Sequence, residues 1–229
     1  MPGDYIGQKQ LMDESAPFRR LLEQKKIHSS IFWGPPGVGK TSLALLIAEF
    51  TGRRIFALSA VNAGVKDVRE TIDKASRIDL FHSGQAPILF IDEIHRFNKS
   101  QQDALLEAVE KGIVILIGAT TENPSFEVNQ ALLSRCQVYV LEELSAEDLK
   151  TMVDRAILQD SILSQQDIEV VEYEALIFFS GGDARKLYNI LEILASTHGE
   201  GKLTITNHLV EDAIKVKHIA YDKGGEFHY

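Results

Sequence analysis

The stretch Gly34-Pro35-Pro36-Gly37-Val38-Gly39-Lys40-Thr41 decides how the rest of the chain is read. It fits G-x-x-x-x-G-K-[ST], the loop whose backbone N–H groups wrap phosphate oxygens. Its flanks agree. Ile31-Phe32-Trp33 enters as a short apolar strand, and Leu43, Leu46, Ile47 and Phe50 leave with helical spacing. A strand, a glycine turn and a helix start in that order form an anion site. The first N–H groups of the helix lack partners, and its dipole is positive at that end. Gly34 and Gly39 let the backbone approach phosphate and take positive φ. Lys40 supplies a point charge for the β- and γ-phosphates, and the Thr41 hydroxyl suits a Mg²⁺ position. Pro35 and Pro36 stiffen the loop by fixing φ. Gly34 through Thr41, with Ser42 behind them, are the expected nucleotide-binding residues.

Outward from this loop, short apolar runs alternate with amphipathic stretches. The strand candidates are Ile31–Trp33, Ile55–Leu58, Ile88–Ile91, Ile113–Ile117 and Val138–Leu141; helical spacing covers Thr41–Phe50, Val65–Ile78 and Gln101–Lys111. This alternation predicts an α/β fold, a five-stranded parallel sheet sandwiched by helices. Ligands in such sheets bind beyond the C-terminal strand ends. Ile88-Leu89-Phe90-Ile91 ends at such a point in Asp92-Glu93. Asp92 is placed to hold Mg²⁺ through its water shell, and Glu93 to take a proton from an attacking water. The next apolar strand ends in Gly118-Ala119-Thr120-Thr121-Glu122-Asn123, where Thr121, and after it Asn123, is the expected water-positioning side chain. Leu133-Ser134-Arg135-Cys136 precedes the last strand; by itself an arginine there reads as solvated or salt-bridged.

After Leu144 the pattern turns helical: Leu149–Leu158, Val170–Ser180, Ala184–Ser196 and His208–Val216, with Ser145 and Asp148 placed to cap the first. The expected organisation is an α/β domain over 1–143, a small all-helical domain over 144–217, and the start of a further region over 218–229. Lys+Arg 24 against Asp+Glu 33 gives a net charge of −9, which argues against a chain coated for nucleic acid. Cys136 is the single cysteine, so no internal disulfide forms, and no apolar run reaches membrane-spanning length. A cytoplasmic setting without membrane contact is expected. The seven histidines show no metal spacing.

The loop, the Asp92-Glu93 pair, Gly118–Thr121 and Ser134-Arg135-Cys136 occur in the order used by AAA+ ATPases, and Ser-Arg-Cys resembles the clamp-loader branch. Two longer strings, Ile91 to Leu106 and Gly118 to Asn129, resemble the replication-associated recombination protein A family, bacterial relatives of the Werner-helicase-interacting protein. The resemblance covers nearly the whole chain. It implies ATP and Mg²⁺ as ligands, ATP hydrolysis, and DNA remodelling in fork maintenance, recombination and repair. It makes Arg135 an arginine finger acting in trans on a neighbouring subunit's nucleotide. It makes Arg185, in Gly181-Gly182-Asp183-Ala184-Arg185, a phosphate contact from a lid helix; the plain alternative is a capping Asp183 beside a surface arginine. It places Tyr5 and Ile6, in Tyr5-Ile6-Gly7-Gln8, at the adenine pocket, though the Arg-Pro that family members carry just before this box is absent. It implies that the chain stops before a helical oligomerisation domain, that the full-length form is a homo-oligomer, and a nucleoid-associated location in a bacterial cytoplasm. Expected partners are fork or single-strand-containing DNA, bound weakly by this fragment, and replication proteins such as single-strand-binding protein. Lys66, Arg69, Lys74 and Arg77 alternate with acids and read as a solvated helix face. His95, Arg96 and Lys99 are candidates to line a ring's central channel. The competing readings are a clamp-loader or branch-migration subunit, and a nucleotide-dependent switch with little turnover.

Overall fold

The computed structural model describes residues 3, 5–79, 85–199 and 201–224. Two compact units divide the chain, Met1–Glu142 and Glu143–Tyr229. In the first, α1 (Lys9–Met12) and α2 (Pro17–Glu23) precede β1 (Ser30–Trp33). Then come α3 (Lys40–Thr51), β2 (Ile55–Ser59), α4 (Val65–Asp79) and β3 (Ile88–Asp92). A 3₁₀ turn, Ile94–Arg96, leads to α5 (Lys99–Glu110), β4 (Ile115–Thr120), α6 (Pro124–Glu127), α7 (Gln130–Leu133) and β5 (Gln137–Val140).

The five strands are all parallel, in the order β2-β3-β4-β1-β5. Successive strand residues point to opposite faces, so the apolar runs feed two cores. Phe32, Ile88, Phe90 and Ile117 pack on one face with Phe18 and Leu22 of α2 and Leu43 and Ile47 of α3. Ile31, Leu89, Ile91 and Leu116 pack on the other with Val68 and Ala75 of α4 and Leu105 and Ala108 of α5. Burying each of the larger side chains contributes about 1.5–3 kcal/mol. This double burial is why the strands read as continuous apolar runs instead of alternating ones. Register brings the ends of β1, β3 and β4 level. Gly118 of β4 pairs with Ile31 of β1 and with Ile91 of β3, and Trp33 pairs with Thr120. The glycine-rich loop after β1 and Asp92 therefore leave the same end of the sheet, with only β4 between their strands.

The second unit holds α8 (Ala146–Gln159), β6 (Ile168–Val170), α9 (Glu174–Ser180), α10 (Ala184–Thr197), β7 (Leu203–Ile205) and α11 (Asn207–Gly224). Its own core gathers Leu149, Val153, Leu176, Leu187, Leu191, Leu194 and Val210. The cap at α8 forms as the sequence predicts. Ser145 Oγ accepts from the Asp148 N–H at 3.2 Å, and Asp148 Oδ2 accepts from the Ser145 N–H at 3.0 Å. Gly181, at φ 55°, closes α9, and Asp183 caps α10.

Three details differ from the sequence reading. The second unit is helical but also carries a parallel two-stranded ladder, β6 with β7. Each strand is three residues long, too short for alternation to show. Val170, expected to open a helix, ends β6 instead, and α9 starts four residues later. The last helix runs past residue 216 to Gly224, and residues 225–229 of the expected further region lie outside the described residues. Among the described residues no helix is long and apolar enough to cross a membrane.

Candidate nucleotide site

β1 is central and buried, so Gly34 emerges with β5 immediately beside it. A Cβ on Gly34 would stand 2.2 Å from the Leu141 carbonyl oxygen, so only glycine fits. The Gly34 N–H donates to Thr120 O at 3.2 Å and the Leu141 N–H to Trp33 O at 2.7 Å, tying the entry to the loop to both neighbouring strand ends. Gly39 takes φ 97° and starts α3. Lys40 is buried, and its Nζ donates to the carbonyls of Gly34 and Pro35, each at 2.7 Å. The ammonium thus lies across its own loop. Thr41 is half-buried at the start of α3 and Ser42 is exposed.

The segment before α1 braces this loop. The Tyr5 hydroxyl donates to Gly39 O at 3.1 Å, and burial pushes its ionisation well above the ordinary tyrosine range. Gln8 Nε2 donates to Glu142 O at 2.8 Å while its Oε1 accepts from the Glu142 N–H at 2.9 Å. Gln8 is buried, in left-handed conformation at φ 53°. Sequence reasoning singled out Tyr5 and passed over Gln8. Its signal was faint, a glutamine following Gly7.

Asp92 ends β3, half-buried. Glu93 follows at φ 56°, ψ 45°, a left-handed conformation that costs a side-chain-bearing residue roughly 1–2 kcal/mol. Strain of this size is held in place by its surroundings. Here the holder is Ile94, fully buried where Gly118 leaves room: a Cβ on Gly118 would come within 2.9 Å of Ile94 Cδ1. His95 lies next. Its side chain is 12% exposed, its Nε2 stands 3.3 Å from Glu93 Oε2 and its Nδ1 2.9 Å from Thr120 Oγ1. Arg96 and Lys99 are exposed.

At the end of β4 the two adjacent threonines part. Thr120 is fully buried and bonded, whereas Thr121 is half-buried. Asn123 caps α6, its Oδ1 accepting from the Ser125 N–H at 3.0 Å. Arg135 is exposed. It forms an ion pair with Glu110 at the end of α5 and donates from Nη1 to Ala131 O at 2.8 Å. In the second unit Arg185 is exposed in the first turn of α10, its N–H donating to the Asp183 carboxylate at 2.8 Å. Cys136 is half-buried against the second core, and burial pushes its thiol up to about 12.

A profile of the ATPase family associated with various cellular activities (AAA) matches residues 30–144, about half of the chain. The chain belongs to the AAA ATPase family. A profile of the AAA C-terminal domain matches residues 163–229. The chain is 45% identical over 231 residues to the replication-associated recombination protein A of Coxiella burnetii, covering 99% of this chain and 52% of that protein. It is 41% identical over 232 residues to the Escherichia coli K12 protein of the same name, covering 98% of this chain and 51% of that one. With the ATPase WRNIP1 of Dictyostelium discoideum the identity is 42% over 246 residues, 99% of this chain and 28% of that protein. The chain therefore spans about half the length, or less, of these curated relatives. Among solved structures, a point mutant of Thermotoga maritima RuvB is similar at TM-score 0.73 and 25% identity, covering 95% of this chain and 73% of that one. The T. maritima RuvB Holliday junction branch migration motor is similar at TM-score 0.70 and 26% identity, with 92% and 70% covered.

Proposed function

We propose that this AAA chain binds ATP with Mg²⁺ and hydrolyses it, and that hydrolysis drives remodelling of DNA in replication-associated recombination and repair. The observation that carries the reading is the loop geometry. Gly34 is pressed against Leu141 with no room for a Cβ, Gly39 is left-handed, and Lys40 Nζ rests on two carbonyls of the same loop. A phosphate offers Nζ a charged partner in place of two neutral ones, and charge-assisted bonds are roughly twice as strong. Thr41 and Asp92 are hard oxygen donors of the kind Mg²⁺ takes, and they are the residues that would hold it. When bound, the ion neutralises phosphate charge.

Glu93 is the base that takes a proton from water, a contribution of typically about 10²–10⁴-fold. Thr121 and Asn123 are assigned to positioning that water, with Asn123 also capping its helix. Tyr5 and Ile6 are assigned to the adenine side of the nucleotide. Arg185 is assigned to the phosphates. Arg135 acts on a neighbouring copy's nucleotide, where such arginines are worth about 10³–10⁵ in rate. We infer a homo-oligomer acting on fork or single-strand-containing DNA alongside single-strand-binding protein, in the cytoplasm near the nucleoid; the relatives' name, replication-associated recombination protein A, supports the action on DNA.

The test compares parent and Glu93→Gln in ATP binding and steady-state hydrolysis, with and without fork DNA. The expected variant binds ATP and falls at least about 100-fold in turnover. Turnover equal to the parent overturns the assignment of the base. A second reading, a branch-migration motor, is favoured by the likeness to RuvB. Stimulation by four-way junctions well above that by forks would select it.

A further inference from the structure

Glu93 has a neighbour that the function above does not use. His95 bridges the ends of two strands: its Nε2 lies 3.3 Å from Glu93 Oε2, beyond β3, and its Nδ1 lies 2.9 Å from Thr120 Oγ1, at the end of β4. The Thr120 hydroxyl is itself placed by Glu122. It accepts from the Glu122 N–H at 3.0 Å and lies 3.1 Å from Glu122 O. The bridge is enclosed. Thr120 is fully buried and the His95 side chain is 12% exposed. Buried side chains flank it in sequence, Ile94 at 0% and Phe97 at 3% exposure. Gly118, on β4 two residues before Thr120, makes the space into which Ile94 fits.

The protons in this chain can be assigned from chemistry. A bare lone pair on Nε2 would face a carboxylate oxygen, so Nε2 carries a hydrogen directed at Glu93. With the ring neutral, Nδ1 accepts from the Thr120 hydroxyl. With the ring an imidazolium, Nδ1–H donates to Thr120 Oγ1 and the hydroxyl proton turns to Glu122 O. Thr120 has both acceptors in reach, so Nε2–H stays on Glu93 in either state. The 3.3 Å separation is slightly long for an N–H···O bond, and contacts of this kind tighten when substrate is bound.

We propose that His95 is a positioning residue for Glu93, with Thr120 fixing its ring. The imidazole anchors the carboxylate of the base to the end of β4, the strand that lies between those carrying Asp92 and the phosphate loop. A displacement of the β4 end is thereby passed to the base. His95 touches Glu93 and not the reacting atoms. This inference rests on the reading of Glu93 as the base.

The experiment measures ATP turnover and nucleotide affinity for His95→Ala, Thr120→Val and Thr120→Ser beside Glu93→Gln. Nitrogen NMR of the His95 ring is recorded for the parent and both Thr120 variants. Misplacing a catalytic group costs up to about 100-fold, so His95→Ala and Thr120→Val should each lose about 10- to 100-fold in kcat, with KM within about two-fold. Thr120→Ser keeps the hydroxyl and should restore most of the rate. The parent ring should show a protonated Nε2, with an Nδ1 signal that shifts in Thr120→Val and stays in Thr120→Ser. Parental kcat in both His95→Ala and Thr120→Val would overturn the proposal. So would equal losses in Thr120→Val and Thr120→Ser, or an Nδ1 signal indifferent to Thr120. If Glu93→Gln abolishes turnover while His95→Ala does not, positioning alone falls; if Glu93→Gln turns over like the parent, the base reading falls with it.

Discussion

At the scale of single residues, two glycines of the loop before α3 are required for different steric reasons, and the difference is measurable. A Cβ at Gly34 meets main chain, the Leu141 carbonyl, which moves only if β5 moves. Gly34→Ala should cost about 1–3 kcal/mol by overpacking and should abolish the thermal shift that ATP gives the parent. At Gly39 the nearest obstacle is the Tyr5 hydroxyl, 2.4 Å from a Cβ, at the end of a side chain that can be shortened. Gly39→Ala should therefore be less damaging in a Tyr5→Phe background than alone. Chemical denaturation of the four proteins checks this. The residual cost in the double variant, about 1 kcal/mol, is that of alanine at positive φ. That Gly34, Gly39 and Lys40 lie in a turn between a strand and a helix was legible, because that turn is written in consecutive residues. That Tyr5 donates its hydroxyl to Gly39, and that Thr120 and not Thr121 meets His95, was not. Those contacts join residues 34 and 25 positions apart and depend on how strand ends are turned.

At the scale of elements, the string that carried the family resemblance has a structural job. Asn98 caps α5 in a reciprocal pair with Gln101, whose Nε2 also donates to Ala63 O at 2.7 Å. Gln102 is buried and ties three backbone segments: it donates to Phe97 O and Glu127 O and accepts from the Asn129 N–H at 2.6 Å. Asn98→Ala should cost about 1 kcal/mol, the ordinary worth of a cap. Gln102→Leu strands several buried polar groups at about 1–3 kcal/mol each and should cost more. Urea midpoints should rank parent, Asn98→Ala, Gln102→Leu. The central strands and the longer helices were readable because burial on both sheet faces or a 3.6-residue period marks them. The ladder of Ile168–Val170 with Leu203–Ile205 was not, since three residues carry no period and their pairing joins distant parts of the chain.

At the scale of the whole molecule, charge and pH set the limits. A net charge of −9 opposes DNA, so affinity of the isolated chain should be weak and should fall steeply between about 50 and 200 mM salt in an anisotropy titration. Stability should fall on the alkaline side. The Cys136 thiol is held up to about 12 by burial, against an ordinary 9.0, so above pH 9 the unfolded chain releases a proton the folded chain keeps. That thiol alone should remove about 1.4 kcal/mol by pH 10, a loss that Cys136→Ala would cancel. Tyr5 and Tyr139, also raised by burial, add to the fall at higher pH. On the acid side, the carboxyls of Glu107, Asp160 and Glu174 are lowered by hydrogen bonds, so their contribution is present above their ordinary values and is lost as pH falls through the folded ones. Sequence by itself determined a glycine-rich loop between a strand and a helix, two acids at a strand end and a parallel sheet, because each is encoded by neighbouring residues and local period. Tertiary structure decided which strand lies between the loop and the acids, and which imidazole faces Glu93. Strand order and contacts across the chain follow from how whole faces pack, and no local run of residues specifies that.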